Sequence, residues 1–284
     1  MAHLSWSDRP DGDQPVLIAA FQGWNDAGDA ATGAVQHLSE HWNATRFATL
    51  DPEEFYDFTI ARPQVRVDEG MTRSIEWPTN TFGFARPEGT GGVVLLQGVE
   101  PQLRWRTFCA QVIEVATALD CRLVLTLGAL LAEVAHTRPT PVFGNAYDAA
   151  LIERLHLEPS TYEGPTGIVG VLHAECAAHG LDSASLWAAV PSYVPSATSP
   201  KAALALVERS IELLDASVPT MGLTLEAAAY EHEIGQLVAE DDATVDYVRH
   251  LEELHDQDAM AVQSADDIIE EVEKFLRDQG PGDR

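Results

Sequence analysis

The fold is decided by the segment VLIAAFQGWNDAGDAATGAV, residues 16–35, in which an apolar run becomes a polar turn and then a helical pattern. Residues 16–21 carry only apolar side chains, which is typical of a strand buried on both of its faces. Beyond the turn, the spacing of apolar residues predicts a helix over 26–41. A strand followed by a helix is the repeating unit of α/β proteins, so the chain should contain further copies.

Three further copies of this unit follow. They are VVLLQG (93–98) before a predicted helix at 104–119, LVLTLGAL (123–130) before one at 146–155, and LWAAV (186–190) before one at 200–214. The repetition predicts an α/β fold, a three-layer sandwich in which helices cover both faces of a mostly parallel sheet. We assign this core to residues 1–222.

Two regions interrupt or extend this core. Residues 54–92 hold short alternating segments separated by Pro and Gly, which predict an inserted β-hairpin. Its Trp77, Phe82 and Phe84 are expected either to form an exposed subunit contact or to pack on the core. Residues 223–284 hold 18 Asp and Glu against 4 Lys and Arg. Their helical periodicity predicts an acidic helical subdomain that either docks on the core as a lid or pairs helix to helix at its edge.

Composition excludes several functions. A formal net charge of -28 disfavours nucleic acid and anionic membranes, since both are bound mainly through Lys and Arg. Lys201 and Lys274 are the only lysines, and neither belongs to a phosphate-binding Gly-Lys-Ser/Thr loop. The three cysteines lack metal-site spacing and lie in apolar segments, as in a reducing compartment. We expect a cytoplasmic protein that has no cofactor.

The candidate site lies in the loops that follow the strands, because ligands of open parallel sheets bind at the carboxyl ends of the strands. In the first of these loops, Gly23 permits a tight turn, and Asn25 or Asp26 is expected to cap the helix, to contact a ligand, or to do both. Two carboxylates in this turn disfavour phosphate and favour a hydroxyl, an amine or a cation. Trp24 is interpreted as a packing residue, and stacking on a ligand is the alternative.

The other loops supply further candidates. Glu100 and Arg104 either contact the ligand or form an ion pair one helical turn apart. His136 and Arg138 suit proton transfer and carboxylate binding. The glycine-rich segment 162–170 offers Gly164 and Thr166, and a structural turn is the alternative there. The HLSEH pattern at 37–41 matches a zinc-peptidase spacing, but it falls at the far end of the first helix, so no metal site is predicted.

The blocks that carry these candidates resemble the bacterial branch of the proteasome assembly chaperone family, the type named for its second member. The resemblance rests on five stretches in order: GWNDAG (23–28), GVEPQLRW (98–105), LGALLAEVAHTRP (127–139), YEGPTGIVGVL (162–172) and WAAVPSYV (187–194). It implies a phosphorylase-like core, a helical C-terminal extension and a homo-oligomer, with a trimer favoured. It supplies no catalytic residues, but it places all the candidates at strand ends: Gly23, Asn25, Asp26, Glu100, Arg104, His136, Arg138, Gly164 and Thr166.

Two functions remain open from the sequence. The first is a ligand-binding or assembly-chaperone-like oligomer, whose partners are further copies, a small molecule or another protein. The alternative is a hydrolase or transferase acting on a small polar substrate, with His136 as acid or base, Arg104 and Arg138 as anion anchors, and Asp26 orienting a water. The enzyme requires His136 and Asp26 to converge on one cavity.

Overall fold

A computed structural model describes residues 3–68, 72–159 and 162–258 of the chain. Within these residues, eight strands form one sheet and two form a separate ribbon. The strands are β1 (Leu4–Trp6), β2 (Val16–Gln22), β3 (Thr45–Leu50), β4 (Gln64–Asp68), β5 (Thr72–Glu76), β6 (Asn80–Ala85), β7 (Val93–Val99), β8 (Leu123–Ala132), β9 (Val142–Ala146) and β10 (Ser183–Pro191). The order across the large sheet is β1-β3-β6-β7-β2-β8-β10-β9.

The centre of the sheet is parallel, as predicted. Strand β2 pairs with β7 and β8 on its two sides, so that Val16 lies opposite both Val93 and Leu123. Strand β10 continues the parallel order beyond β8, with Ser183 opposite Val124. Antiparallel strands flank this centre: β6, β3 and β1 on one side and β9 on the other. The carboxyl ends of β2, β7, β8 and β10 therefore share one edge.

Helices cover both faces of the sheet. They are α1 (Ala30–His41), α2 (Trp105–Ala118), α3 (Ala149–Leu155), α4 (Ile168–Ala178), α5 (Pro200–Leu214) and α6 (Met221–Val238), and residues 242–258 are also helical. Apolar residues of α1, α3 and α5 pack against one face, and those of α2 and α4 against the other. Ser199 begins α5, because its hydroxyl accepts from the Ala202 amide and proline follows it. This confirms the predicted three layers.

The segment predicted as an inserted hairpin divides into two parts. Strands β4 and β5 form an antiparallel ribbon, whereas β6 belongs to the main sheet. Phe82 and Phe84 are buried with β6, so the expectation that they are exposed is wrong, and the packing alternative holds for them. Trp77 is 47% exposed and stacks edge-on against Phe58. The sequence analysis also missed β3, β9 and α4, whose segments are short or interrupted by glycine.

The acidic C-terminal region docks on the core through α6 and residues 242–258. Its apolar side chains meet the loop after β8 and the loop after β10 in a separate cluster, which we call the junction. The junction consists of Ala135, Tyr193, Val194, Ala197, Tyr230, Ile234, Val238, Val245, Tyr247, Val248 and Leu251. The third predicted helix, over 264–278, lies outside the described residues. The domain boundary at residues 222 and 223 stays a prediction.

Candidate functional site

A cavity of about 770 Å³ opens beside the carboxyl ends of β2 and β8. The first loop forms one wall, β8 and β9 form another, and the start of α4 closes a third side. Its lining consists of Gly23, Trp24, Asn25, Ala27, Ala129, Leu130, Leu131, Phe143, Asn145, Tyr147, Tyr162, Pro165, Thr166, Val169, Gly170, His173, Ser185, Trp187 and Pro195. The size is that of a site for a small organic ligand.

The turn of the first loop requires the glycine that the sequence places there. Gly23 has a φ of 137°, and a side chain would bring its Cβ within 3.2 Å of the Glu100 Cβ. The next residues run beside β8, where the Asn25 carbonyl accepts from the Ala129 amide at 2.8 Å. Trp24 is 65% exposed on the cavity wall, so its interpretation as a packing residue is wrong.

Glu100 holds two walls of the cavity together. Its Oε1 accepts from the Asn25 Nδ2 at 3.0 Å and from the Ile168 amide at 2.9 Å, and its Oε2 accepts from the Trp24 amide at 3.3 Å. Gly167 permits this approach, since a Cβ there would lie 2.3 Å from the Asn25 Nδ2. Glu100 therefore positions the first loop and the amino end of α4, and it does not line the cavity among the described residues.

Asp26 lies behind the wall and caps α1. Its Oδ1 accepts from the Ala31 amide at 2.7 Å and the Thr32 amide at 3.2 Å, and its Oδ2 accepts from the Thr32 hydroxyl. Burial raises the pKa of this carboxyl, although the bonds from Thr32 and Ala31 act in the opposite direction. The capping alternative of the sequence analysis describes Asp26 in this structure.

Two hydrogen-bonded groups lie beneath the aromatic side chains. Trp187 Nε1 donates to Ser185 Oγ at 3.1 Å, and Ser185 Oγ donates to Asn145 Oδ1 at 2.9 Å. His173 bonds to Thr126 through Nε2 and to Ser183 through Nδ1, each at 2.9 Å. Burial lowers the pKa of His173 to about 4, so the ring is neutral near pH 7.

His136 and Arg138 lie in the junction and not in the cavity. The Nδ1 of His136 is 2.8 Å from the Tyr193 hydroxyl, and its Nε2 is buried with no partner among the described residues. Burial and then the charge of Lys201 lower the pKa of His136. Arg138 donates from Nε and Nη2 to both carboxylate oxygens of Asp256, each at 2.8 Å. The positive charge of the Arg138 guanidinium is thus neutralised by a carboxylate of the same chain.

The remaining candidates differ in whether they line the cavity. Arg104 pairs with Glu54 at 2.6 Å, so the ion pair that was the alternative for Glu100 and Arg104 is not present. Thr166 lines the cavity with Gly23 and Asn25. Gly164 lies in the same loop as Thr166 but outside the lining of the described cavity. The structure therefore brings three of the nine candidates to the cavity wall, with Glu100 and Asp26 directly behind it.

The sequence analysis missed most of the lining. Phe143, Asn145 and Tyr147 come from β9 and the residue after it, in a region interpreted partly as helix. The β-branched and aromatic residues of VFGNAY, residues 142–147, are the signal that could have indicated a strand. His173 and Ser185 were not predicted as site residues, because each is an isolated polar side chain in a mostly apolar element.

Neither metal ligands nor membrane spans emerge from the described residues. No cluster of three or more His, Cys, Asp or Glu in them could hold a metal ion. None of the helices in the described ranges combines the length and the apolarity that crossing a bilayer requires.

Comparisons with known proteins agree with this architecture. A model of the PAC2 family matches residues 20–238. The chain is similar to a PAC2 family protein from Streptomyces avermitilis, at 45% identity over 82% of this chain and 99% of that one, with a TM-score of 0.76. It is also similar to a proteasome-assembly chaperone homologue from Mycobacterium tuberculosis, at 46% identity over the same shares, with a TM-score of 0.75.

More distant likeness concerns the fold alone. An archaeal proteasome activator from Pyrococcus furiosus is 17% identical over 82% of this chain and 97% of its own, with a TM-score of 0.67. No protein with a curated description matches the chain. The family model spans most of the sequence, and the two closer structures are matched over almost their whole length. The chain therefore belongs to the PAC2 family.

Proposed function

We propose that this protein is an assembly-chaperone-like, ligand-binding homo-oligomer, with a trimer favoured, which acts in the cytoplasm by holding protein partners. The observation that carries the proposal is the ribbon of β4 and β5. Val65, Val67 and Ile75 lie on one face of this ribbon, since Val65 is directly opposite Ile75 and Val67 follows two residues later. All three are exposed.

An uncovered apolar ribbon favours association. A two-stranded ribbon is marginally stable in water, and it gains stability when another surface covers its apolar face. Exposed apolar surfaces of this kind mark protein interaction sites. Trp77 continues the apolar character just beyond β5. We therefore propose that the ribbon, with Trp77, is the surface through which copies of this chain meet.

The class of partner follows from similarity. The Mycobacterium tuberculosis structure is described as a proteasome-assembly chaperone homologue, and its identity of 46% is high enough to suggest a related role. Proteasome components are accordingly the partner class that we propose. Asn25, Thr166 and Gly23 form part of the proposed ligand cavity, and the helical region is proposed to support the loop after β8.

The hydrolase or transferase alternative has no matching geometry. It requires His136 and Asp26 to share one cavity, and neither lines the cavity within the described ranges. Both oxygens of Asp26 accept bonds from α1, and His136 faces α6. The proposed anion anchors Arg104 and Arg138 pair with carboxylates of the same chain.

Native mass spectrometry tests the oligomer. The double variant Val65→Asp/Ile75→Asp should lower the subunit count, because it buries charge in the proposed contact. Leu225→Asp, at an exposed position on α6, is the control and should keep the wild-type number of subunits. A monomeric wild type, or an unchanged oligomer in the double variant, would contradict the proposal.

Partner capture tests the assembly role separately. Tagged wild type, expressed at native level in the host, should recover proteasome subunits after cross-linking, and Trp77→Ala should recover fewer because the partner binds the assembled oligomer. Equal recovery would show that partner binding does not require the contact between copies. Recovery of no proteasome subunit by the wild type would reject that partner class.

A further inference from the structure

We propose that the cavity binds an uncharged, flat aromatic molecule that carries a hydrogen-bond acceptor. This inference rests on the proposed ligand-binding role and adds the chemical class of the ligand. It is carried by the charge of the lining, the arrangement of the aromatic side chains and a single amide donor.

The first observation is the absence of formal charge from the lining. The chain is 22% charged and has a net charge of -28, yet no Asp, Glu, Lys or Arg lines the cavity within the described residues. A charged ligand would lose hydration there without gaining a counter-ion, which is costly. The cavity therefore selects against anions, and its described lining offers a cation no carboxylate as counter-ion.

The nearest carboxylate does not alter this selection. Glu100 lies behind the wall, and its oxygens accept from the Asn25 side chain and from the amides of Trp24 and Ile168. These three donors stabilise the carboxylate where it is, so it has no need of a cationic ligand. A ligand amine would have to compete with groups that the fold already holds in place.

His173 completes the uncharged floor. Both of its ring nitrogens are occupied, by the Thr126 and Ser183 hydroxyls, and the residue is buried. The buried ring stays neutral near pH 7, because burial lowers the pKa of His173 to about 4. Tyr147 packs edge-on against the ring at 6.0 Å between centroids. His173 thus supports an aromatic wall and does not act as an acid or base.

Aromatic side chains dominate the exposed walls. Trp24, Phe143, Tyr147 and Tyr162 all lie in the lining and are exposed, with Leu130 and Leu131 between them. Rings of this kind bind a planar partner by stacking and edge contacts as well as by burial of area. The volume of about 770 Å³ accommodates a molecule of several fused or linked rings.

One amide fixes the orientation of the ligand. The Oδ1 of Asn145 accepts from Ser185, whose own oxygen accepts from Trp187. The Nδ2 of Asn145 is then left as a donor, and no described residue accepts from it. An acceptor on the ligand, such as a ketone or amide oxygen, would satisfy this group.

Fluorescence titration with a matched pair of dyes tests the class. The first is prodan, an uncharged naphthalene ketone, and the second is the analogue in which a sulfonate replaces the propionyl ketone. Prodan should bind the wild type at least about tenfold more tightly, since only the sulfonate must lose hydration without a partner. Equal or tighter sulfonate binding would overturn the ligand class but leave a ligand site in place.

Variants locate the dye. Trp24→Ala should weaken prodan binding by about tenfold, through loss of a stacking wall. Leu237→Ala is the control, because Leu237 is also an exposed apolar side chain but lies on α6, outside the cavity lining, and it should have no effect. No effect of Trp24→Ala, or an equal effect of Leu237→Ala, would place the dye outside the cavity and overturn the inference.

Two further variants test charge and orientation. Leu131→Arg adds a cation to the wall and should raise sulfonate affinity by about tenfold relative to prodan. Asn145→Asp keeps the acceptor for Ser185 but removes the donor, and it should weaken prodan by about tenfold. An unchanged ratio of affinities in Leu131→Arg, or unchanged prodan binding in Asn145→Asp, would contradict the inference.

Three outcomes bear on the proposed function itself. If neither dye binds the wild type, both the ligand class and the proposed ligand role fail, whatever the oligomeric state is. If prodan binding weakens as protein concentration rises, a second copy occupies the cavity, which overturns the small ligand and supports the oligomer. Oligomer disruption by the ribbon variants with prodan binding retained would show that the two sites are independent.

Discussion

The cavity and the junction lie at neighbouring loops of one sheet edge, yet they differ in chemistry. The cavity is uncharged, and its aromatic side chains are exposed. In the junction, a buried apolar cluster is bordered by charged pairs, with Arg138 bonded to Asp256 and Lys201 to Glu231. The sequence analysis placed His136 and Arg138 in the same site as Asn25, and the structure separates them.

The difference shows how a fold distributes charge. Partly burying a charged side chain costs the least free energy where a group of opposite charge can pair with it. The acidic helical region supplies such carboxylates to the loop after β8. The described lining of the cavity consists of neutral groups, and the Glu100 carboxylate behind it is held by neutral donors. A cluster of charged residues in loop sequences is therefore as compatible with an internal contact as with a ligand site.

The largest expected effect comes from the floor of the cavity. His173→Leu should destabilise the protein by about 2–5 kcal/mol, because the buried Thr126 and Ser183 hydroxyls both lose a partner. Chemical denaturation measures this, with His179→Leu at an exposed position as the control. A loss of stability confined to α6 and residues 242–258 would contradict the distinction between the cavity and the junction.

The same residue predicts a pH dependence. The folded pKa of about 4 lies below the ordinary value of 6.5, so the folded state binds the proton less readily than the unfolded state. The contribution of the neutral His173 ring to the free energy of unfolding is fully present above about pH 6.5, and it falls by roughly 3 kcal/mol as the pH decreases to 4. In His173→Leu this part of the slope should disappear. An identical slope in variant and wild type would mean that His173 does not titrate in this way.

Packing of the junction is next in size. Ile234→Ala removes a buried side chain of α6 and should weaken docking of the helical region by about 2–4 kcal/mol. Hydrogen exchange should increase in residues 221–258 and remain unchanged in β2 and β8. Leu225→Ala, at an exposed position on the same helix, should change neither. Faster exchange throughout the central sheet would show that the junction and the core unfold together.

A smaller effect is expected for the charges of the junction. Arg138→Gln removes the paired bonds to Asp256, so residues 242–258 should exchange faster, and added salt should reduce the difference from wild type. Arg154→Gln breaks the exposed pair with Asp182 and serves as the control. Prodan binding should be unchanged in both. Weaker prodan binding in Arg138→Gln but not in Arg154→Gln would show that the junction influences binding in the cavity.

The smallest effect concerns His136 and pH. Burial and the charge of Lys201 lower its pKa from 6.5, so docking should be strongest above about pH 6.5 and should weaken as the pH falls. The melting temperature at pH 7.5 and 5.5 should therefore differ less in His136→Gln than in the wild type. His250→Gln, at an exposed position in the helical region, should behave as the wild type does. A difference of the same size in all three proteins would exclude His136 as the cause.

Prediction from sequence succeeded where one local pattern has one structural meaning. The apolar run before Gly23 is short and bounded by a turn, which favours the buried strand that it forms, and α5 begins at Pro200 because Ser199 and the proline favour a helix start. Prediction left exposure and packing open for Phe82 and Phe84, because an alternating strand has the same pattern whether it joins the main sheet or a ribbon. It failed for Asn145, since β9 is short, contains a glycine and is established by its pairing with β10.

The sequence alone determined the α/β fold, the edge of the sheet that carries the loops, and the helical nature of the acidic region. These follow from periodicity and local capping, which depend on neighbours in the chain. Only the tertiary structure decided that Glu100 joins two walls, that Arg138 is neutralised by Asp256, and that the aromatic residues of β9 face the first loop. Each of these contacts joins residues distant in the chain, and charge pairing or burial between such residues depends on the packing of whole elements.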